Sequence, residues 1–283
     1  MTDAILLPGF EEVRAEVRGL RLRAYAGGPD GGEPLVLVHG LGGAAVNWTL
    51  LAPELARRRR VLAVDLPGHA GSDPLPAAPS LAPYADRLGD LVERAGFASA
   101  DFVGHSLGGL IALRLAQRRS ELVRSVVLAA AAGITSSTRW AERMLALFGW
   151  LQPGRRISPH WRKVAGSRTL RQAVFGYWGA ADPAGLSSRA VEGLLRDVNL
   201  HTDTDSAWRA LARDDPRHDL HEVRCPCLVL WGARDNQLPL EDAFDYARRL
   251  GAPLRVIADT GHLLIVERPD ACLDAIESFL GSR

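Results

Sequence analysis

Lysine is almost missing from this chain: Lys163 is the only one, and the remaining basic residues are arginines. Basic and acidic residues nearly cancel, 34 against 33, for a net charge of +1. That balance gives no global attraction to nucleic acid or to an anionic membrane. Cysteine is scarce as well. Three cysteines cannot all pair, and Cys225-Pro226-Cys227 has neither redox nor zinc spacing. His218 and His221 are one helical turn apart but have no third ligand, so no metal is expected. No apolar run approaches a membrane-spanning length without charges. The start, Met1-Thr2-Asp3-Ala4-Ile5-Leu6-Leu7-Pro8, lacks the basic and apolar regions of a signal peptide. These absences predict a cytoplasmic protein with no disulfide, metal, nucleic-acid partner or stable membrane insertion. They leave a homo-oligomer open.

What is present is ordinary globular material, with 47% hydrophobic and 24% charged residues in 283. A chain of this length can bury about three quarters of its unfolded surface, enough for a sheet covered on both faces. Val17 to Tyr25 reads as a β-hairpin. Strands follow near residues 35–39, 61–65, 101–105 and 125–131, then at Cys227–Trp231 and Leu254–Ile257, with helical periodicity between them. Tyr84, Leu88, Leu91, Val92 and Ala95 mark one such helix. The run Arg57-Arg58-Arg59-Arg60 closes a helix, where cations suit the C-terminal dipole and sit in solvent. No internal repeat or low-complexity linker interrupts the pattern.

One motif carries chemistry. Gly104-His105-Ser106-Leu107-Gly108 follows the apolar run Asp101-Phe102-Val103 and opens a helix at Gly109-Leu110-Ile111. A G-x-S-x-G turn between strand and helix lifts a serine hydroxyl above a sheet, and its tightness demands glycine two residues to either side. Two further strands run into polar candidates, Gly232-Ala233-Arg234-Asp235 and Ala258-Asp259-Thr260-Gly261-His262. Each candidate lies just past the C-terminal end of its strand, where open parallel sheets form their ligand crevice. A serine hydroxyl is a weak nucleophile, so a base must take its proton. His262 can do that and return the proton to the leaving group, while Asp235 holds the imidazole tautomer. Asp259 is the rival acid, but it stands only three residues before His262.

The order serine, aspartate, histidine, with G-x-S-x-G, resembles the α/β-hydrolase superfamily over nearly the whole chain. The resemblance implies an α/β fold, a mostly parallel sheet covered by helices on both faces. It also implies an oxyanion hole made by the backbone N–H of Leu107 and, from the loop His39-Gly40-Leu41-Gly42-Gly43, that of Leu41. His39 then orients its loop rather than reacting. The segment Asp65-Leu66-Pro67-Gly68-His69-Ala70-Gly71-Ser72-Asp73 resembles another family loop, with Ala70 where glycine is usual.

Strand–helix alternation stops after Gly133 and resumes at Cys225. Residues 134–224 read as a helical cap inserted into a core of 1–133 and 225–283. Five of the seven tryptophans fall there. Trp140, Phe148 and Trp178, with Leu263 from the core, are candidates for an apolar substrate pocket. Packing of the cap on itself is the plainer role for most such aromatics. A membrane-touching helix from Trp140 to Leu151 is disfavoured by the mixed signs of Arg139, Glu142 and Arg143.

The expected partner is a small-molecule acyl substrate, cleaved without a cofactor through an acyl-enzyme. Serine rather than aspartate at 106 counts against resemblance to dehalogenases and epoxide hydrolases. Meta-cleavage C–C hydrolases share the fold, but those relatives commonly carry tryptophan where this chain has Leu263. A non-enzymatic small-molecule receptor on the same fold stays open. A dinucleotide-binding reading of Gly40-x-Gly42-x-x-Ala45 with Asp65 competes for the first loop, yet an upstream hairpin is foreign to that unit.

Overall fold

The computed structural model describes residues 7–75, 80–135, 153–176 and 179–282. Strands β1 (Phe10–Val17), β2 (Leu20–Gly27), β3 (Glu33–Val38), β4 (Arg59–Val64), β5 (Ala100–His105), β6 (Val123–Ala129), β7 (Cys227–Gly232) and β8 (Leu254–Ile257) form one sheet. Its order is β1-β2-β4-β3-β5-β6-β7-β8. The first two pairings are antiparallel and all the others parallel. This is the expected α/β architecture.

Burial explains which strands read clearly. Leu35, Val36, Leu37 and Val38 of β3 are wholly buried, as are Phe102 and Val103 of β5. Strands covered on both faces need continuous apolar runs rather than alternation. β1 is different: after Glu11, the charged Glu12, Arg14 and Glu16 alternate with Val13, Ala15 and Val17 along a half-exposed strand. The hairpin therefore begins at Phe10, well before Val17, and turns at Arg18–Gly19.

One reading needs correction. Arg59 and Arg60 do not end a helix in solvent; they open β4. Arg59 Nη2 lies 3.4 Å from Glu277 Oε2, and the Arg60 guanidinium lies 4.8 Å from the centre of the Phe97 ring. Only Arg57 and Arg58 are exposed. Cys225 stands before β7 and is half-buried, whereas Cys227 and Cys272 are buried.

Between β6 and β7 the described residues form short helices and no strand: Pro153–Ile157, Trp161–Gly166, Arg168–Phe175, Ser188–Leu195 and Asp205–Ala212. Side-chain caps start two of them, Ser167 Oγ accepting from Leu170 N and Ser187 Oγ from Ala190 N. Asn47 Nδ2 donates to Gly193 O at 2.8 Å, tying this segment to the loop region after β3. Among the described residues no helix is long and apolar enough to cross a membrane.

Candidate functional site

Parallel strands deliver their C-terminal loops to one end of the sheet, so the turns after β3, β4, β5, β7 and β8 emerge together. Ser106 is the only residue between β5 and the helix Leu107–Arg118. Its backbone takes φ 51° and ψ −117°, a conformation costly for a residue with a side chain. Neighbouring bonds hold it there: Ser106 N donates to Ala129 O at 3.0 Å, and Ser106 O accepts from Ala132 N at 3.1 Å. A Cβ at Gly104 would fall 2.5 Å from Gly109 Cα, and one at Gly108 would strike the Val38 and His39 carbonyls. Both glycines are close-approach positions, as the tight turn requires.

His262 and Asp235 meet. His262 Nδ1 lies 2.8 Å from Asp235 Oδ2, with side chains 6% and 1% exposed. A carboxylate only accepts, so the imidazole donates from Nδ1, and in the neutral ring Nε2 keeps its lone pair. The other carboxylate oxygen accepts from Gln237 N and Leu238 N, each at 2.9 Å. Asp259 is not in this arrangement. It pairs with Arg234 at 2.6 Å, and both side chains are mostly in solvent.

Ser106 is linked to this pair through its neighbour. The His105 ring lies 4.9 Å from the His262 ring, and His105 Nε2–H donates to His262 O at 2.9 Å. Burial pushes the His105 imidazole down to about 3, so it is neutral. No hydrogen bond joins Ser106 Oγ to the His262 ring among the described residues; such contacts often tighten only with substrate bound.

The loop after β3 presents the Leu41 amide, and the helix start presents that of Leu107. Neither donates to another described residue. The Leu107 N–H is a first-turn amide without an intrahelical acceptor and lies at the positive end of the helix dipole. His39 is an orienting group: Nε2 accepts from Leu66 N at 3.0 Å, and Nδ1–H donates to Gly40 O at 2.7 Å. Burial lowers its pKa to about 3. Ala70 adopts φ 43°, so alanine takes the left-handed turn where glycine is usual. Asp65 is buried, ion-paired to Arg23 and bonded by Ala45 N at 2.7 Å. A ribose has no access to it, which removes the dinucleotide reading.

Leu263 follows His262, half-buried against the core. Trp140, Phe148 and Trp178 lie outside the described residues. Three residues at this end were not singled out from sequence. His105 holds the His262 carbonyl. Glu267 accepts from Gly261 N at 3.1 Å and Ala181 N at 2.7 Å, bracing the turn that carries His262. His201 bonds the loops at Gly42 and Ala70. Only His105, inside the G-x-S-x-G turn, carried a local signal. Among the described residues no cluster of three metal-ligating side chains occurs.

Residues 33–269 match the alpha/beta hydrolase fold family. The chain belongs to that family. It is 33% identical to the dihydrolipoyllysine-residue acetyltransferase component of the acetoin cleaving system of Pseudomonas putida, over 94% of this chain and 68% of that one. It is 30% identical to the pimeloyl-[acyl-carrier protein] methyl ester esterase of Neisseria meningitidis serogroup B, over 86% and 91% of the two chains. The 2-hydroxymuconate semialdehyde hydrolase of Pseudomonas sp. strain CF600 is 28% identical, over 95% and 94%.

Proposed function

We propose that this family member is a serine hydrolase acting on a carboxylic ester, thioester or lactone of a small hydrophobic substrate. The bond from His262 Nδ1 to Asp235 carries the reading, because in the neutral ring it leaves Nε2 free to take a proton, on an imidazole whose centre lies 4.9 Å from that of His105, the residue before a strained serine. Ser106 Oγ attacks the acyl carbon while its proton passes to His262 Nε2. The Leu41 and Leu107 amides stabilise the oxyanion. Collapse breaks the bond to the leaving group, which takes the proton from His262. Water then adds to the acyl-enzyme by the same base, releasing the acid and restoring Ser106.

Residues 134–224 are assigned as a cap over the core 1–133 and 225–283, with Trp140, Phe148, Trp178 and Leu263 lining the acyl pocket. Similarity to a methyl ester esterase along most of both chains supports ester chemistry. The likeness to a semialdehyde hydrolase, over 95% of this chain and 94% of that one, keeps C–C hydrolysis as the second reading.

Fluorophosphonate labelling, with the adduct located by mass spectrometry, tests the nucleophile. The label is expected on Ser106. Ser106→Ala and His262→Ala are expected to lower turnover of p-nitrophenyl acyl esters by about 10³-fold or more. Near-parental rates in either variant overturn the assignment. A single slow turnover across the acyl series points to a receptor, and turnover of a vinylogous 1,5-diketone without ester cleavage points to C–C hydrolysis.

A further inference from the structure

Three buried histidines, His39, His69 and His201, lie ring against tilted ring beside the loop that carries the Leu41 amide. Their ring centres are 5.1 Å apart from His39 to His69 and 5.4 Å from His69 to His201. His201 comes from the segment between β6 and β7. Its Nε2–H donates to Gly42 O at 2.9 Å, and its Nδ1 accepts from Ala70 N at 2.8 Å. A carbonyl only accepts and an amide only donates, so both partners fix the same neutral tautomer. His39 holds the opposite one, donating from Nδ1 to Gly40 O.

Leu41 therefore lies between two carbonyls, each gripped by a different imidazole. The peptide linking Gly40 to Leu41 is planar and trans, so its C=O and N–H point in opposite directions. Fixing Gly40 O aims the Leu41 N–H. Gly40 O is held by His39 and by Gly43 N, the latter at 3.0 Å. Gly43 N shares its peptide plane with Gly42 O, the atom that His201 bonds. The ring at 201 thus fixes the far end of the turn whose near end aims the amide.

The segment bearing His201 is itself anchored. Thr202 N and Asp203 N donate to Gly68 O at 3.0 and 3.1 Å, and Asp197 Oδ2 lies 2.5 Å from Arg23 Nη2.

We infer that His201 is a positioning residue that sets the Leu41 amide through the Gly42 carbonyl, so that the segment between β6 and β7 governs oxyanion stabilisation. The inference rests on the role proposed above for Leu41. It assigns to an inserted segment a part in the chemical step, beyond covering the substrate.

Side-chain geometry separates the two bonds of His201. A glutamine amide nitrogen reaches the place of imidazole Nε2, and an asparagine oxygen reaches that of Nδ1. His201→Gln keeps the bond to Gly42 O; His201→Asn keeps the bond from Ala70 N and loses the other. His201→Phe fills the ring's space and loses both. The readouts, on the full chain, are kcat and KM for a p-nitrophenyl ester, the rate of fluorophosphonate labelling of Ser106, and the melting temperature.

The Asn and Phe variants are expected to lose about tenfold or more in kcat and in labelling rate, with KM changed less than about twofold; removing an oxyanion donor outright costs about 10² to 10³. Gln should stay within about threefold of the parent. Equal losses in Gln and Asn, or losses confined to KM or matching the unfolded fraction, overturn the inference. If Asn does not fold, Phe carries the same expectation. Normal labelling of Ser106 in the parent with unchanged Asn and Phe rates sinks this inference alone. No labelling of Ser106 in the parent sinks the proposed function and this inference with it.

Discussion

Asp235 and His262, 27 positions apart, meet side chain to side chain at 2.8 Å, while Asp259 turns outward to Arg234. The two aspartates differ in partners, not merely in distance. Asp235 Oδ1 is already committed to two backbone N–H groups, which leaves Oδ2 for the imidazole.

That commitment predicts the result of Asp235→Asn. The amide oxygen must occupy the place facing the Gln237 and Leu238 amides, so the NH₂ group faces His262 Nδ1. The imidazole then moves its proton to Nε2 and cannot accept one from Ser106. Turnover should fall by about 10³-fold or more, as loss of the correct tautomer does elsewhere. Asp259→Asn should stay within about twofold. Steady-state kinetics on one ester decides, and the reverse ranking would move the acid to Asp259.

Buried imidazoles make stability depend on pH. His39 and His105 are held down at about 3, and burial also lowers His69 and His201. In the unfolded chain a histidine titrates near ~6.5. The unfolded state therefore binds more protons between these values, and stability rises with pH across that window. The contribution is complete above about pH 6.5 and is lost as pH falls towards 3, at up to about 1.4 kcal/mol per unit for each histidine. Asp65, Asp242 and Glu267, raised by burial, act in the opposite sense. Urea midpoints at pH 7.5, 6 and 5 should decline, and His105→Asn should decline less steeply. Identical slopes in the two proteins would contradict the assignment.

Arg23 is a buried hub. Its side chain is 6% exposed, paired to Asp65 and to Asp197, with its guanidinium carbon 5.2 Å from the centre of the Tyr25 ring. Arg23→Met leaves the Asp65 carboxylate buried without its cation, which costs about 3–5 kcal/mol in such settings. Further substitution of Asp65 by Ala should recover little, because Ala45 N and Gly71 N then lose their acceptor. Chemical denaturation of both variants measures this. A loss below about 1 kcal/mol in Arg23→Met would show that the pair contributes no more than a surface bridge.

Features written locally were legible in the sequence. β3, β5 and β7 are short apolar runs because both their faces are covered, and the serine turn announces itself within five residues. The order of Ser106, Asp235 and His262 was legible because each follows the C-terminal end of a strand. β1 was only partly visible, since Glu11, Glu12, Arg14 and Glu16 disguise a strand with one solvated side. The roles of His201 and Glu267 were not visible at all. His201 reaches Gly42 across 159 positions, and Glu267 reaches Ala181 across 86, so no spacing rule applies. Arg59 and Arg60 misled for a related reason: four arginines in a row resemble a solvated face, but two of them enter a strand.

Glu267 supplies the last test. Its Oε1 accepts from Gly261 N and its Oε2 from Ala181 N, so one carboxylate clamps the two chain segments nearest the His262 backbone. His262 N in turn donates to Gly179 O at 2.5 Å. Glutamine can serve only one of those sites, and its NH₂ must face a backbone N–H at the other. A buried donor left without an acceptor costs about 1–3 kcal/mol. Glu267→Gln should therefore melt earlier than the parent. It should also lose activity, because the imidazole is no longer held in register; a displacement of about 1 Å near a reacting group costs up to about 10²-fold. The expected pattern is a fall of about tenfold in kcat measured well below the melting transition, with Ser106 still present and folded. A lower melting temperature with kcat unchanged would make Glu267 a brace for the fold alone and leave the His262 turn to its other bonds.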